Sequence, residues 1–315
     1  MTTIIAYALV PVFFVMILGY FAGKKGIVDN KNISSLNHTL MMFALPAALF
    51  TAIAKTSHKV VVDNASSMLV LAIALLIIYI FIIMLQYKFF KLNMADGAVQ
   101  SLTVAFPNFA SIGLPLLVSV FGPSGALPVA IAIAVGSVTI SPLTLTFLEL
   151  SKQGTSSSSG FSKFVSALRK SVTRPIFIAP VVAVILALCD IHMPDLVNNM
   201  LSVIGAATAG LGLFLTGLIL SAQPIRINGN VVLGVLLKNI IQPLIAYLIV
   251  RWLNVPQPLA GQVVLLIAIP AGFFGLVFGA NYGARPAVSG STLVASSLFS
   301  IISLAVAIYF LAPVQ

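Results

Sequence analysis

Of 315 residues, 60% are hydrophobic and only 7% are charged, where soluble domains carry about a quarter charged residues; with a mean hydropathy of +1.15, this excludes a soluble enzyme and predicts a polytopic membrane protein. The formal net charge of +10 does not point to nucleic acid, because the 16 Lys and Arg are scattered between apolar runs rather than gathered on one face. The single cysteine, Cys189, excludes an intramolecular disulfide and a cysteine metal cluster, and neither a metal nor a cofactor is expected.

A transmembrane helix needs about 20 mostly apolar residues. That ruler predicts ten spans in chain order: Thr3–Gly23, Ile33–Ala54, Ser66–Phe89, Ala95–Phe121, Ala126–Leu150, Pro175–Asp190, Leu196–Ala222, Val232–Leu253, Leu259–Tyr282 and Ala287–Leu311. The first is too long for the apolar region of a signal peptide and has no basic leader, so it reads as a span. The sixth is short and opens on a proline suited to the first helical position.

Basic residues set the orientation. Connections after odd-numbered spans hold Lys24, Lys25, Lys31, Lys88, Lys91, Lys152, Lys163, Arg169, Lys170, Arg174, Arg226 and Arg285, whereas those after even-numbered spans hold Lys55, Lys59 and Arg251. Under the positive-inside rule this bias predicts a cytoplasmic central connection and both termini outside. The central connection begins with Gly154-Thr155-Ser156-Ser157-Ser158-Ser159-Gly160, a flexible composition. Phe161, Phe164, Val165, Leu168 and Val172 then recur at helical spacing beside basic residues, as in an interfacial amphipathic helix; an ordinary solvated linker is the alternative. The chain therefore divides into a first five-helix repeat (1–150), a linker (151–174) and a second five-helix repeat (175–315).

The fourth and ninth spans are broken. Phe106-Pro107-Asn108-Phe109-Ala110-Ser111-Ile112-Gly113 and Ile269-Pro270-Ala271-Gly272 lie inside apolar segments, where a proline removes a donor and frees a carbonyl that lipid cannot satisfy. Such breaks survive where they line a protein-enclosed cavity, and a matching pair in two halves points to a transporter site. Because five is odd, the second repeat must enter the membrane inverted. Val10-Pro11 against Ala179-Pro180, Pro107 against Pro270, and Val135-Gly136-Ser137 against Ala295-Ser296-Ser297 are the internal similarities that support it.

Unwinding at Pro107 would present amides and the positive dipole end of the following half-helix to an anion. Asn108 adds a side-chain amide, and Ser111 shares its geometry; capping of the broken helix is a compatible role for Asn108. Pro270, Ala271, Gly272 and Gly275 form the opposite break, or serve close helix packing through small residues. Ser137, Thr139, Ser141, Ser296, Ser297, Ser300 and Ser303 supply hydroxyls to spans five and ten, for the polar path or for bonds to their own helix turns. Lys238 is the one Lys or Arg that lies more than a turn inside a predicted span, either functional or snorkelling to the nearby cytoplasmic end; Arg285 belongs to the cytoplasmic rim. His38 reads as an interfacial residue. Every carboxylate falls in a connection or at a span end, so coupling, if present, would use neutral oxygens for Na⁺ or a proton carried on the substrate.

Leu18-Gly19-Tyr20, Asn37, Phe43-Ala44-Leu45-Pro46-Ala47-Ala48-Leu49-Phe50, the Phe106 to Gly113 segment and Lys238-Asn239-Ile240-Ile241-Gln242-Pro243 together resemble the auxin efflux carrier family over the whole chain, and its bacterial branch most of all. The resemblance implies an all-α membrane protein of ten helices in two inverted repeats, a scaffold unit and a transport unit, crossed broken helices, a homodimer and a small carboxylate substrate, malonate. It also implies that the asparagine after the crossover proline, Asn108, touches substrate, and that Thr51 does so from span two. An intramembrane enzyme is disfavoured: the chain has no Gly-x-Ser-x-Gly elbow, no His-Glu-x-x-His pair and no mid-span aspartate pair. A channel or a sensory membrane protein is the competing class.

Overall fold

The computed structural model describes residues 2–30, 33–54, 57–151, 161–162, 165–166, 169, 172–191, 193–284 and 286–312. Among these, all regular elements are helical. Seven helical stretches are long and apolar enough to cross a membrane, and Pro175–Leu188 and Leu259–Ala268 are shorter apolar helices. Large apolar side chains such as Phe14, Leu69, Ile80, Leu248 and Ile302 are exposed, while Gln86, Gln100, Asn108, Lys238, Asn239 and Gln242 are buried. This polarity suits a lipid solvent, in which polar groups must find partners inside the protein.

In chain order the helices are α1 (Thr2–Lys24), α2 (Ser34–Ile53), α3 (His58–Asp63), α4 (Ala65–Lys88), α5 (Met94–Ala105), α6 (109–121), α7 (Ala126–Val138), α8 (Ile140–Ser151), α9 (Pro175–Leu188), α10 (Asp195–Gly205), α11 (Ala207–Ala222), α12 (Gly229–Trp252), α13 (Leu259–Ala268), α14 (Phe274–Asn281) and α15 (Ala287–Leu311). The fourth and ninth predicted spans are thus each two helices, α5/α6 and α13/α14. The predicted fifth span is also interrupted, at Thr139, whose φ of −103° and ψ of −85° separate α7 from α8. Of the proposed linker helix, Phe161 and Val165 are helical and exposed; Phe164 and Leu168, like Arg285, lie outside the described residues.

Three helices widen by a π-turn, at Leu40–Ala44, Phe109–Gly113 and Leu237–Ile241. Each is followed by a proline at the second position of the continuing helix: Pro46, Pro115 and Pro243. A proline offers no N–H to the carbonyl four residues back and its ring presses on that carbonyl; one wider turn relieves the clash without ending the helix.

Packing separates the helices into two groups. α1 lies along α11, and α2 packs on α9 and α10. The α1–α11 approach brings backbones together: a Cβ on Gly217 would fall on the Met16 carbonyl, and one on Gly19 on the Phe214 carbonyl, the small-residue contact that membrane helices favour. In the second group α5 packs on α4, α8, α14 and α15, and α12 packs on α4, α13 and α15. Buried amide pairs tie this group internally: Gln86 Nε2 donates to Asn230 Oδ1 (3.0 Å) and Asn230 Nδ2 to Gln86 Oε1 (2.6 Å), while Gln100 Nε2 donates to Thr292 Oγ1 (3.0 Å).

Candidate functional site

A residue before proline is pushed out of the helical region into extended conformation. Phe106 (ψ 100°) and Ile269 (ψ 140°) obey, ending α5 and α13 in the interior. The two extended pieces run antiparallel, with Pro107 bridged to Ala271. Asn108 N donates to Pro270 O at 3.0 Å and Gly272 N to Thr103 O at 3.1 Å, so each break satisfies backbone groups of the other. Gly272 is required by proximity, since a Cβ there would meet the Phe106 carbonyl. Pro107, Asn108, Ser111, Pro270, Ala271 and Gly272 are all buried.

One side of this crossing faces α11. Asn108 Nδ2 donates to Thr216 Oγ1 at 3.1 Å, and Thr216 Oγ1 donates to its own Gly212 carbonyl at 2.9 Å. One turn back, Gly212 lets α11 approach the start of α6 so closely that a Cβ would lie 3.1 Å from Ser111 Cα. Thr208, one turn further, completes a small polar stripe at four-residue spacing, and Thr208 and Thr216 are both buried. Asn108 Oδ1, Ser111 Oγ and Thr208 Oγ1 are buried without a hydrogen-bond partner within the protein. Uncompensated buried polar atoms are costly, and these three lie on α11 and at the N-terminal, electropositive start of α6, which pack together where the two helix groups meet. Hydroxyls and an amide can both donate and accept, which is the set needed to hold a carboxylate in place of water.

Sequence comparison matches the membrane transport protein family over residues 4–308. The chain belongs to that family, the auxin efflux carrier family. Relatives include the "Uncharacterized transporter YfdV" of Escherichia coli, 27% identical over 306 residues and 96% of each chain. The "Putative malonate transporter" of Rhizobium meliloti is 22% identical over 309 residues, covering 96% of this chain and 94% of the relative. An uncharacterized transporter of Methanocaldococcus jannaschii is 22% identical over 301 residues, 93% and 94% of the respective chains. This auxin efflux carrier family member is a multi-pass membrane transporter and not an enzyme.

The remaining residues singled out from the sequence take several places in this family member. Lys238 does not snorkel: it is fully buried, with Nζ donating to Ile267 O at 2.7 Å and Gln242 Oε1 at 2.8 Å. Ser296 Oγ accepts from Ala271 N (2.9 Å) and donates to Asn239 Oδ1 (2.6 Å), bracing the second break against α12. Ser297 is buried with an unpartnered hydroxyl, whereas Ser300 turns back to its own helix at Ser297 O. Ser137 is half-buried beside the Thr139 interruption, and Thr139 bonds Val135 O. Thr51 is half-buried and bonds Ala47 O and Ala48 O in its own helix. Thr208, Gly212, Thr216 and Gln242 were not foreseen as site residues; the four-residue spacing of the first three was the available signal.

Towards the end that carries the central linker, rings continue outward from the crossing. Phe106 stacks on Phe274 (5.3 Å), Phe274 meets Phe278 (6.2 Å), and the Arg174 guanidinium lies 5.7 Å from the Phe278 ring centroid. Tyr282 donates to Glu149 Oε1 at 2.5 Å. A cleft of about 540 Å³ opens beside them, lined by Asn93, Asp96, Ser151, Tyr282 and Gly283 among others.

Proposed function

We propose that this chain is a secondary transporter of small organic carboxylates, with malonate as the substrate, working by alternating access around the Pro107–Pro270 crossing. The observation that carries the reading is the cluster of unpartnered buried atoms, Asn108 Oδ1, Ser111 Oγ and Thr208 Oγ1, at the junction of two separately packed helix groups. In this reading Asn108 and Ser111 contact the carboxylate, and Pro107, Pro270, Ala271 and Gly272 hold the breaks open. Lys238 supplies positive potential from behind, and Thr51, Ser137 and Ser297 belong to the path on either side. Movement of the crossing relative to the α1, α2, α9–α11 group exposes the site to each face in turn.

The same reading takes the chain as ten passes in two inverted repeats, 1–150 and 175–315, joined by the 151–174 linker. It places the linker in the cytoplasm and both termini in the periplasm of a bacterial inner membrane, in a homodimer. The malonate assignment draws on the family resemblance and on the name of the Rhizobium meliloti relative.

The experiment is counterflow in proteoliposomes with labelled malonate against a panel of mono- and dicarboxylates. Saturable exchange of malonate that is lost in Asn108→Ala, with the variant still monodisperse, is the expected result. Exchange limited to another organic anion would replace the substrate, and non-saturable flux would mean a channel.

A further inference from the structure

The crossing has a second side, and it is electrically different from the first. α5 and α13 enter from opposite directions and both end there, so their last carbonyls converge and their dipoles leave partial negative charge in the interior. In membrane carriers, unwound carbonyls and half-helix C-terminal ends are the groups that coordinate a coupling Na⁺. In this chain those carbonyls are already served. Lys238 Nζ donates to Ile267 O, in the last turn of α13, at 2.7 Å and to Gln242 Oε1 at 2.8 Å. Gln242 Nε2 in turn donates to Ala105 O, the last residue of α5, at 2.8 Å. One side-chain cation, relayed through one amide, thus reaches both helix ends.

Two features fix Lys238 in that position. The π-turn at Leu237–Ile241 changes the angular register of α12, and Lys238 and Gln242 stand one turn apart with their side chains joined. Lys238 is fully buried, yet none of the six carboxylates Asp29, Asp63, Asp96, Glu149, Asp190 and Asp195 is buried. The helix ends are therefore the negative charge that an ammonium there would meet, and a lone buried ammonium is tolerated only against such a counter-field.

We propose that Lys238 is a tethered counter-cation occupying the position where a free coupling ion would sit, and that the carrier consequently moves its anion without Na⁺. The inference rests on the chain being a carrier and not on which carboxylate it carries. It makes Lys238 a positioning residue: the ammonium holds the ends of α5 and α13 together, and so presents Asn108 on the opposite side.

The test uses purified full-length protein in two assays. Thermal unfolding in detergent, with Na⁺ exchanged for choline at equal ionic strength, reads cation binding without any substrate. Flux of the best substrate in proteoliposomes is measured in Na⁺, K⁺ and choline, for the wild type and for Lys238→Gln, which keeps a donor, one atom shorter, but not the charge. The expected result is a wild type whose unfolding temperature and flux are the same in all cations, and a Lys238→Gln variant, still monodisperse, with flux reduced about tenfold or more, the loss of one strong charge-assisted bond. Stabilisation or acceleration of the wild type by Na⁺ overturns the proposal, as does wild-type flux in Lys238→Gln. Should Lys238→Gln not fold, the two wild-type measurements decide alone. Failure to exchange malonate would leave the unfolding assay intact, so the two readings fail separately.

Discussion

Asn108 and Thr216 meet across the boundary between the two helix groups, the amide Nδ2 3.1 Å from the hydroxyl. A single hydrogen bond therefore links the broken helix to the polar stripe of α11, and its neighbour Asn108 Oδ1 is left for something else. Thr216→Val replaces the hydroxyl by a methyl of the same size and frees Nδ2 in a buried place, at a cost of about 1–3 kcal/mol. If the Thr216 contact holds Asn108 in place for the substrate, the variant will fold and its kcat/KM for exchange will fall about tenfold, since about 1.4 kcal/mol is a factor of ten. Thr216→Ser restores the hydroxyl and should transport at close to the wild-type rate. Counterflow of labelled substrate by the two variants, side by side, makes the comparison.

Two glycines at the site separate packing from approach. A Cβ on Gly212 would sit 3.1 Å from Ser111 Cα, so Gly212→Ala can be absorbed by a slight withdrawal of α11. A Cβ on Gly272 would collide with the Phe106 carbonyl, a backbone atom pinned inside the crossing. We expect Gly212→Ala to lose about 1 kcal/mol of stability and most of its transport, and Gly272→Ala to lose about 3 kcal/mol or more, since overpacking ordinarily costs about 1–3 kcal/mol. Unfolding temperature in detergent ranks them. A Gly272→Ala protein as stable as the wild type would mean that the crossing is not closed as described.

The reciprocal amides of Gln86 and Asn230 give a stability prediction independent of transport. Each satisfies the other in the interior, so removing one orphans its partner, at about 1–3 kcal/mol. Removing both, as Gln86→Leu with Asn230→Leu, leaves nothing unsatisfied. The double variant should therefore be more stable than either single one, with a coupling of about 1–3 kcal/mol in a double-mutant cycle. Additive losses would show the pair to be energetically unlinked.

Pro107, Pro270 and Asn108 were legible in the sequence because they are wrong for a lipid-facing helix, and the chemistry of that wrongness is local. Thr216 was not. A threonine in an apolar helix ordinarily bonds its own previous turn, and Thr216 does so at Gly212 O while also accepting from Asn108; only the fold brings these spans together. Lys238 shows the same limit. Its distance from the helix end allowed snorkelling, and the packing of α12 on α13 decided for burial. The π-turns before Pro46, Pro115 and Pro243 were half legible: proline announces a disturbance, but whether the helix stops, as at Pro107, or widens, as at Pro115, depends on whether another segment supplies the missing partners. At Pro107 the second break supplies them through Pro270 O and the Gly272 amide. The interruption at Thr139 had a signal of the same kind: Pro142, in the first turn of α8, offers no N–H to the Val138 carbonyl four residues back, where α7 ends.

Arg174, at the start of α9, lies against Phe278 of α14 and so joins the two helix groups at the linker end. Behind it the rings of Phe274 and Phe106 continue to the crossing, so this contact stands at the outer end of an apolar seal. Arg174 is exposed, and a cation–π contact at an exposed site is worth about 0.5–1 kcal/mol. Removing it should tilt the balance between closed and open forms by about two- to fivefold, because only the difference between the states matters. Cys189 is the sole cysteine, so Cys189→Ser gives a clean background in which Ser111→Cys reports access to the site. In that background Arg174→Ala should raise the rate of Ser111→Cys labelling by a charged maleimide supplied from the linker side about two- to fivefold, with no increase from the opposite side. An equal increase from both sides would mean general loosening, and an unchanged rate would remove Arg174 from the seal.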